Sequence, residues 1–126
     1  MEWHFSNDIP IYTQLVNHIK FAIVSGQMLP GSKMSSVRDL AAEASVNPNT
    51  VQRALQQLER EGLVYTQRGD GRYITDDISV IEQAKKALAN EHISQFIEAM
   101  KKLGYNLSEM IGLLESSGEV NNGDNI

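Results

Sequence analysis

Cysteine is absent from this chain of 126 residues. A disulfide scaffold, a thiolate metal site and thiol catalysis are therefore excluded, and the absence favours a cytosolic protein. No apolar run approaches the roughly 20 residues that a membrane helix needs. The opening MEWHFSNDIP contains neither a basic patch nor an apolar core, so we expect no signal peptide and a cytoplasmic location.

Histidine is scarce as well. The three histidines are His4, His18 and His92. None of them shares a helix with a carboxylate or a second histidine at the spacing of metal ligands. The glycines of the segment 69–71 are too few for a nucleotide-binding loop. We therefore expect neither an enzyme nor a bound metal or cofactor.

Positive charge is in short supply, with 11 basic and 16 acidic residues and a net charge of -5. The imbalance is unevenly distributed. Residues 1–75 contain 7 basic and 7 acidic residues, whereas residues 76–126 contain 4 basic and 9 acidic residues. All the excess negative charge thus lies in the C-terminal part, which indicates two regions with different roles.

Apolar spacing predicts two helices in the first 45 residues. Pro10 suits the first position of the first helix, and Gly26 suits its C-terminal cap. Ser36 and Asp39 indicate a capping box at the start of the second, shorter helix.

A third helix and a β-hairpin follow. The helix runs from an N-cap at Asn47 to about Glu61. Its predicted buried stripe consists of Val51, Ala54, Leu55 and Leu58. Residues 63–67 and 73–75 are β-prone and flank a turn at 68–72 that contains two glycines. Three helices and a hairpin predict a winged helix-turn-helix, a mainly α fold with a small β-hairpin.

Residues 76–117 are predicted to form two more helices. The first is long, ends at Gly104 and has a possible capping box at Ser79, and the second begins near Asn106. Two helices cannot enclose a core by themselves, so their apolar stripes need a partner, and a homodimer is the expected one. Folding back on the winged helix as a monomer is the alternative. The polar residues 118–126 are predicted to be a disordered tail.

Four polar side chains point away from the buried stripe of the third helix. They are Asn49, Gln52, Arg53 and Gln56. Amide and guanidinium groups are the types that read base edges in the DNA major groove. This face carries no acid before Glu59, which favours a DNA-reading surface over a merely solvated helix.

The hairpin turn adds a second candidate contact with DNA. Arg68 and Arg72 flank Gly69 and Gly71, which would let the backbone approach a phosphate or enter a narrow groove. Asp70 opposes this interpretation and must point away or be neutralised. An ordinary glycine-rich turn is the alternative.

Residues 10–74 carry the segments PIYTQL, SVRDLA, VNPNTVQRAL, EREGL and RGDGRYI. This stretch resembles the DNA-binding domain of GntR-family bacterial transcription regulators, and the short C-terminal region resembles the YtrA subfamily. The resemblance implies a winged helix over residues 1–75 that binds double-stranded DNA, with residues 76–117 forming a homodimer. It also implies a repressor, with transporter genes among its targets.

The resemblance further implies roles for individual residues. The implied DNA-contacting residues are Arg38, Asn49, Thr50, Gln52, Arg53, Arg68, Gly69 and Gly71, with Arg38 on either a phosphate or a base. Lys33, just before the second helix, is a further candidate for a phosphate contact, and a solvated surface lysine is the alternative. Pro48 stands where many relatives carry an arginine or another polar residue. Because proline offers no side-chain donor, we expect readout to shift toward Asn49, Gln52 and Arg53.

Two other functions are open at this point. A winged helix can bind protein without DNA sequence specificity, and apolar or acidic residues on the outer face of the third helix would favour that role. A small-molecule effector could also bind between the C-terminal helices. Its candidate lining residues, more often core or interface residues, are Trp3, Phe96, Met100, Tyr105 and Met110. The sequence identifies no effector.

Overall fold

A computed structural model describes residues 3–117, and within that range it contains five helices and one two-stranded antiparallel sheet. The elements are α1 (Ile11–Val24), α2 (Val37–Ala44), α3 (Pro48–Arg60), β1 (Val64–Gln67), β2 (Gly71–Ile74), α4 (Ile78–Lys102) and α5 (Leu107–Ser116). The predicted mainly α fold with a hairpin is confirmed. The chain divides into two compact units, Met1–Lys85 and Lys86–Ile126. The predicted tail, residues 118–126, lies outside the described residues.

The core of the first unit forms where α1 and α2 pack on α3. The predicted stripe of α3 is buried: Val51, Ala54, Leu55 and Leu58 are at most 1% exposed. Further core residues are Leu15, Ile19 and Ile23 from α1, Leu40 from α2, and Leu63, Val64 and Ile74 at the hairpin. Each fully buried side chain of this size stabilises the fold by about 1.5–3 kcal/mol, so the apolar stripes determine which side of each helix faces outward.

The starts of α1 and α2 differ in detail from the expectation. Pro10 is the N-cap of α1 and not its first helical residue, because its ψ of 142° is extended. Its carbonyl still accepts the N–H groups of Thr13 and Gln14, at 3.1 and 3.3 Å. At α2 the Ser36 hydroxyl accepts the Asp39 N–H at 3.1 Å, which is one half of the predicted capping box.

The turn between α2 and α3 is tight. Ser45 adopts the left-handed conformation, with φ of 57°, and the Val46 N–H donates to the Ala41 carbonyl at 3.0 Å. Asn47 then caps α3 as predicted, its side-chain oxygen accepting the Asn49 N–H at 2.7 Å. This cap satisfies a backbone donor that would otherwise lack a partner at the start of α3.

The hairpin is joined on its outer edge by the segment that leads into α2. Lys33 forms a β-bridge with Tyr73, the Met34 N–H donates to the Arg72 carbonyl at 2.8 Å, and the Ile74 N–H donates to the Ser32 carbonyl at 2.9 Å. These bonds satisfy the free edge of β2 and hold the hairpin against the helical core.

The first unit extends to Lys85, ten residues beyond the predicted boundary at residue 75. The start of α4 continues the core, because Ile81 is 6% exposed and Val80 and Ala84 pack against the same cluster. Asp77, not Ser79, caps this helix: its carboxylate accepts the N–H and the hydroxyl of Ser79 at 3.0 and 2.6 Å. These two hydrogen bonds lower the pKa of Asp77.

The second unit contains the rest of α4 and all of α5. The predicted start of α5 is confirmed by a full capping box, in which Asn106 and Glu109 exchange bonds of 2.8 and 2.9 Å. Met110 is buried, but most large apolar side chains of this unit are exposed. They are Ile93, Phe96, Leu103, Tyr105, Leu107, Ile111, Leu113 and Leu114. A surface this apolar is typical of an interface with another macromolecule.

Replacing Asn47 with alanine tests the cap on which the position of α3 depends. We expect the free energy of unfolding, measured by urea denaturation, to fall by about 1 kcal/mol. Asn47→Asp keeps a side-chain acceptor and should unfold like the unsubstituted protein. An alanine variant of unchanged stability would contradict the role of this cap.

Candidate nucleic-acid interface

The outward face of α3 is made of amide, hydroxyl and guanidinium side chains. Asn49, Arg53 and Gln56 are exposed, and Thr50 and Gln52 are half-buried. The apolar residues between them all belong to the buried stripe, and no acid occurs from residue 49 to residue 56. The structure therefore places the predicted reading residues together on one outward face. Their contact with DNA stays a prediction.

The acid that follows this face is held by the hairpin. Glu59 accepts a hydrogen bond from the Thr66 hydroxyl at 2.6 Å and one from Arg72 Nε at 3.1 Å. Burial raises the pKa of the Glu59 carboxyl, but the bonds from Thr66 and Arg72 outweigh burial and keep this pKa below its ordinary value. Arg72, which the sequence suggested as a cation of the turn, instead ties the hairpin to α3 together with Thr66.

Asp70 is neutralised in a second network. Its carboxylate accepts hydrogen bonds from the Tyr73 hydroxyl and from Lys33 Nζ, the latter at 2.9 Å. These bonds, that from Tyr73 first, lower the pKa of Asp70, and the Asp70 bond raises the pKa of Lys33. The acid that seemed to oppose DNA binding is thus paired at the turn. Lys33 remains a predicted phosphate contact, since 52% of its side chain is exposed.

Gly69 and Gly71 are required for different reasons, Gly71 because space is short and Gly69 because of its backbone conformation. Gly71 has φ of +149°, and a Cβ there would lie 3.1 Å from Lys33 Cε, so the lysine stem occupies the space that a side chain would need. Gly69 has φ of +78°, with open space around it, in a turn closed by the Asp70 N–H and the Gln67 carbonyl at 3.0 Å. The backbone at Gly69, beside Arg68, is therefore open to a close approach by a phosphate.

A third ion pair binds α1 to the end of α3. Lys20 Nζ lies 2.7 Å from Glu61 Oε1, and the Gln57 side chain donates to the other oxygen of Glu61 at 2.9 Å. Burial raises the pKa of Glu61, and the bonds from Gln57 and Lys20 more than offset it, so the pKa is lowered overall.

The three ion pairs leave a distinct set of cations available. Among residues 3–75, Arg38, Arg53, Arg60 and Arg68 form no ion pair, and all four are exposed. They come from α2, α3 and the hairpin turn. These arginines are available to a partner, and exposed acids such as Asp39 are outside the ion pairs as well, since acidic and basic residues are equal in number up to residue 75.

One contact at this face was not predicted from the sequence. The Arg53 guanidinium carbon lies 3.6 Å from the centre of the Tyr12 ring, a cation–π contact between α3 and the start of α1. Both residues border a shallow cavity of about 350 Å³. The other residues of its lining are Pro10, Ile11, Asn49 and Thr50. Since 41 positions separate the two residues, no local pattern pairs them.

Trp3, which the sequence suggested for an effector site, takes part in a different cluster. Its indole N–H donates to Glu43 at 2.8 Å, and its ring lies 5.4 Å from that of His18, which also contacts Phe5. In the part of the chain that the structure describes, no group of three histidine, cysteine, aspartate or glutamate residues could hold a metal ion. None of the described helices is both long and apolar enough to span a membrane.

Comparison with known proteins identifies the family. Residues 11–74 match the bacterial regulatory proteins of the gntR family. The HTH-type transcriptional regulator YhcF of Bacillus subtilis is 38% identical over 111 residues, which is 88% of this chain and 92% of that protein. The transcriptional repressor YtrA of the same organism is 37% identical, over 80% of this chain and 78% of YtrA.

Solved structures agree with this assignment. A GntR family transcriptional regulator from Listeria monocytogenes superposes with a TM-score of 0.83 at 41% identity, covering 90% of this chain and 99% of that one. The AraR DNA-binding domain, solved in complex with the operator ORX1, superposes with a TM-score of 0.55 at 26% identity, covering 60% of this chain and 96% of that domain. With this winged helix and these relatives, the chain belongs to the GntR family of bacterial regulatory proteins.

Proposed function

We propose that this chain is a transcription repressor that binds a specific, pseudo-palindromic DNA site as a homodimer. The observation that carries the proposal is the outward face of α3, where amide and guanidinium side chains stand together while the neighbouring acids are paired. The name of YtrA, a repressor, and the complex of AraR with its operator support it. A regulator of bacterial genes works in the cytoplasm, where the chromosome lies.

Each element has its own part in the proposed complex. The N-terminal half of α3 enters the major groove, where Asn49, Gln52 and Arg53 reach base edges. Arg38 contacts the DNA backbone from the start of α2. The turn at Arg68 and Gly69 lies against the minor groove, whose negative potential attracts arginine. Pro48 places no donor in the groove, so readout depends on the residues that follow it.

The proposed homodimer uses the apolar surface of the second unit. Leu107, Ile111 and Leu114 recur at helical spacing on α5 and are 45–61% exposed. A second copy of the chain would cover this stripe. Two-fold symmetry then places the two α3 helices in successive major grooves, about 10–10.5 base pairs apart or a multiple of that.

Protein binding without DNA specificity is not favoured by any feature of α3. Its outward face from residue 49 to residue 56 contains neither the apolar nor the acidic side chains that such a role requires. The decisive experiment is selection of binding sites from random DNA by the full-length protein. A two-fold symmetric site supports the proposal, and equal binding to all sequences at low salt overturns it.

Replacing Gln52 or Arg53 with alanine should relax base preference. If the replaced side chain forms two hydrogen bonds with its base, discrimination at that base pair should fall by about 1–3 kcal/mol, because each such bidentate pair contributes that much. Fluorescence anisotropy on the selected site and its single-base variants measures the change. Arg60→Ala, at the other end of α3, is the matched control and should keep the preference. An Arg53 variant of unchanged selectivity would remove Arg53 from the reading face.

Replacing Arg38 or Arg68 with alanine should weaken binding to all sequences alike. Removing one cation from a phosphate makes the slope of log K against log salt shallower by about 0.9, hence by about 1.8 for a dimer. Titrations at several salt concentrations measure the slope. Lys86→Ala removes an exposed cation of α4 and should leave the slope unchanged. A loss of affinity confined to one base pair would show that the residue reads sequence instead.

The double substitution Leu107→Glu/Ile111→Glu should convert the proposed dimer into a folded monomer with weak affinity for the two-fold site. Both residues are exposed, so the added charges should destabilise the dimer interface without destabilising the fold of a single chain. Light scattering gives the mass, and binding is measured on whole and half sites. Ser108→Glu/Gly112→Glu adds the same charges off the stripe, where Gly112 has open space around it, and should stay dimeric. If both variants remain dimeric, the dimer interface does not lie on this stripe of α5.

A further inference from the structure

Tyr12 lies under the side chain of a proposed base-reading residue. The Arg53 guanidinium carbon is 3.6 Å from the centre of the Tyr12 ring. Tyr12 is half-buried and Arg53 is exposed, so the ring supports the guanidinium from the protein side. Arginine prefers this arrangement, because a planar cation is attracted to the face of an aromatic ring.

Stacking restricts the guanidinium without using its hydrogen-bonding capacity. The N–H donors of arginine lie in the plane of the group, at its edges. A ring that covers one face leaves these edges free for the paired acceptors of a guanine in the major groove. Among residues 3–117, Arg53 has no acid partner that would compete for them.

The ring itself is held by a rigid part of the fold. Tyr12 is the second residue of α1, and the Pro10 carbonyl accepts the N–H groups of the two residues that follow Tyr12. The amide of Gln14 donates to the Ser6 and Ile9 carbonyls, at 2.8 Å each, which ties the preceding segment to the same turn. Packing between α1 and α3 then sets the position of the ring relative to Arg53.

We propose that Tyr12 is a positioning residue for base recognition, which orders the Arg53 side chain before DNA arrives and thereby sharpens selectivity at one base pair. An arginine that is already ordered loses less side-chain freedom on binding. This inference rests on the proposed function, because it assumes that Arg53 reads a base.

The test is a double-mutant cycle in the full-length protein, with Tyr12→Leu, Tyr12→Phe, Arg53→Ala and the double variant Tyr12→Leu/Arg53→Ala. The probes are the DNA site selected from random sequence and its variants at each base pair. Discrimination in the Tyr12→Leu variant should fall roughly two- to fivefold, at the base pair where Arg53→Ala also loses it. Tyr12→Phe keeps the ring and should bind like the unsubstituted protein. Adding Tyr12→Leu to Arg53→Ala should change nothing further.

Other outcomes overturn the inference in distinguishable ways. A Tyr12→Leu loss that is equal at all base pairs, or that persists without Arg53, would mean that the ring supports the fold or contacts DNA directly. Thermal unfolding of each variant identifies the first of these. Full selectivity in Tyr12→Leu, or no effect of Arg53→Ala, removes the positioning role while the proposed function stands. An unsubstituted protein that prefers no sequence overturns the proposed function itself.

Discussion

The packing of one stripe of α3 into the core is the constraint on which the rest of the structure depends. Because Val51, Ala54, Leu55 and Leu58 are buried, rotation of α3 about its axis would expose apolar surface. The polar residues that share this short helix are therefore held outward in a fixed order. The same packing brings the start of α1 beside Arg53 and the hairpin beside Glu59, so the core determines the geometry of the whole outward face.

Ion pairing then decides which charges this face offers to a partner. Glu59, Glu61 and Asp70 each take a cation, namely Arg72, Lys20 and Lys33 respectively. Of the three pairs only Lys33–Asp70 is exposed on both sides, and an exposed pair adds little stability. All three pairs have an electrostatic consequence, because each neutralises an acid that would repel phosphate and uses one cation to do so. Two of them also fix the hairpin to α3 and to the segment before α2. Arg38, Arg53 and Arg68 remain exposed and outside these pairs.

The sequence predicted what depends on neighbours along the chain. The α3 stripe, the Asn47 cap and the start of α5 follow from spacing and local hydrogen bonding, and all three were confirmed. The predicted caps of α1 and α4 were wrong by one and two residues, because Pro10 is the N-cap of α1 and Asp77, not Ser79, caps α4. The pairs Arg53–Tyr12, Arg72–Glu59 and Lys33–Asp70 depend on the tertiary fold. From residue types alone, Arg53, Arg72 and Lys33 were all equally good candidates for contact with DNA.

In the proposed homodimer, the exposed stripe of α5 would contribute to both stability and DNA recognition. One winged helix contacts only a few base pairs, which is too little for a specific site to compete with the many others on a chromosome. Covering Leu107, Ile111 and Leu114 with a second copy would remove apolar surface from water and bring a second reading helix to the DNA. In such a dimer, once one helix had bound, the other would bind at a high effective concentration, so affinity would rise without any new type of contact.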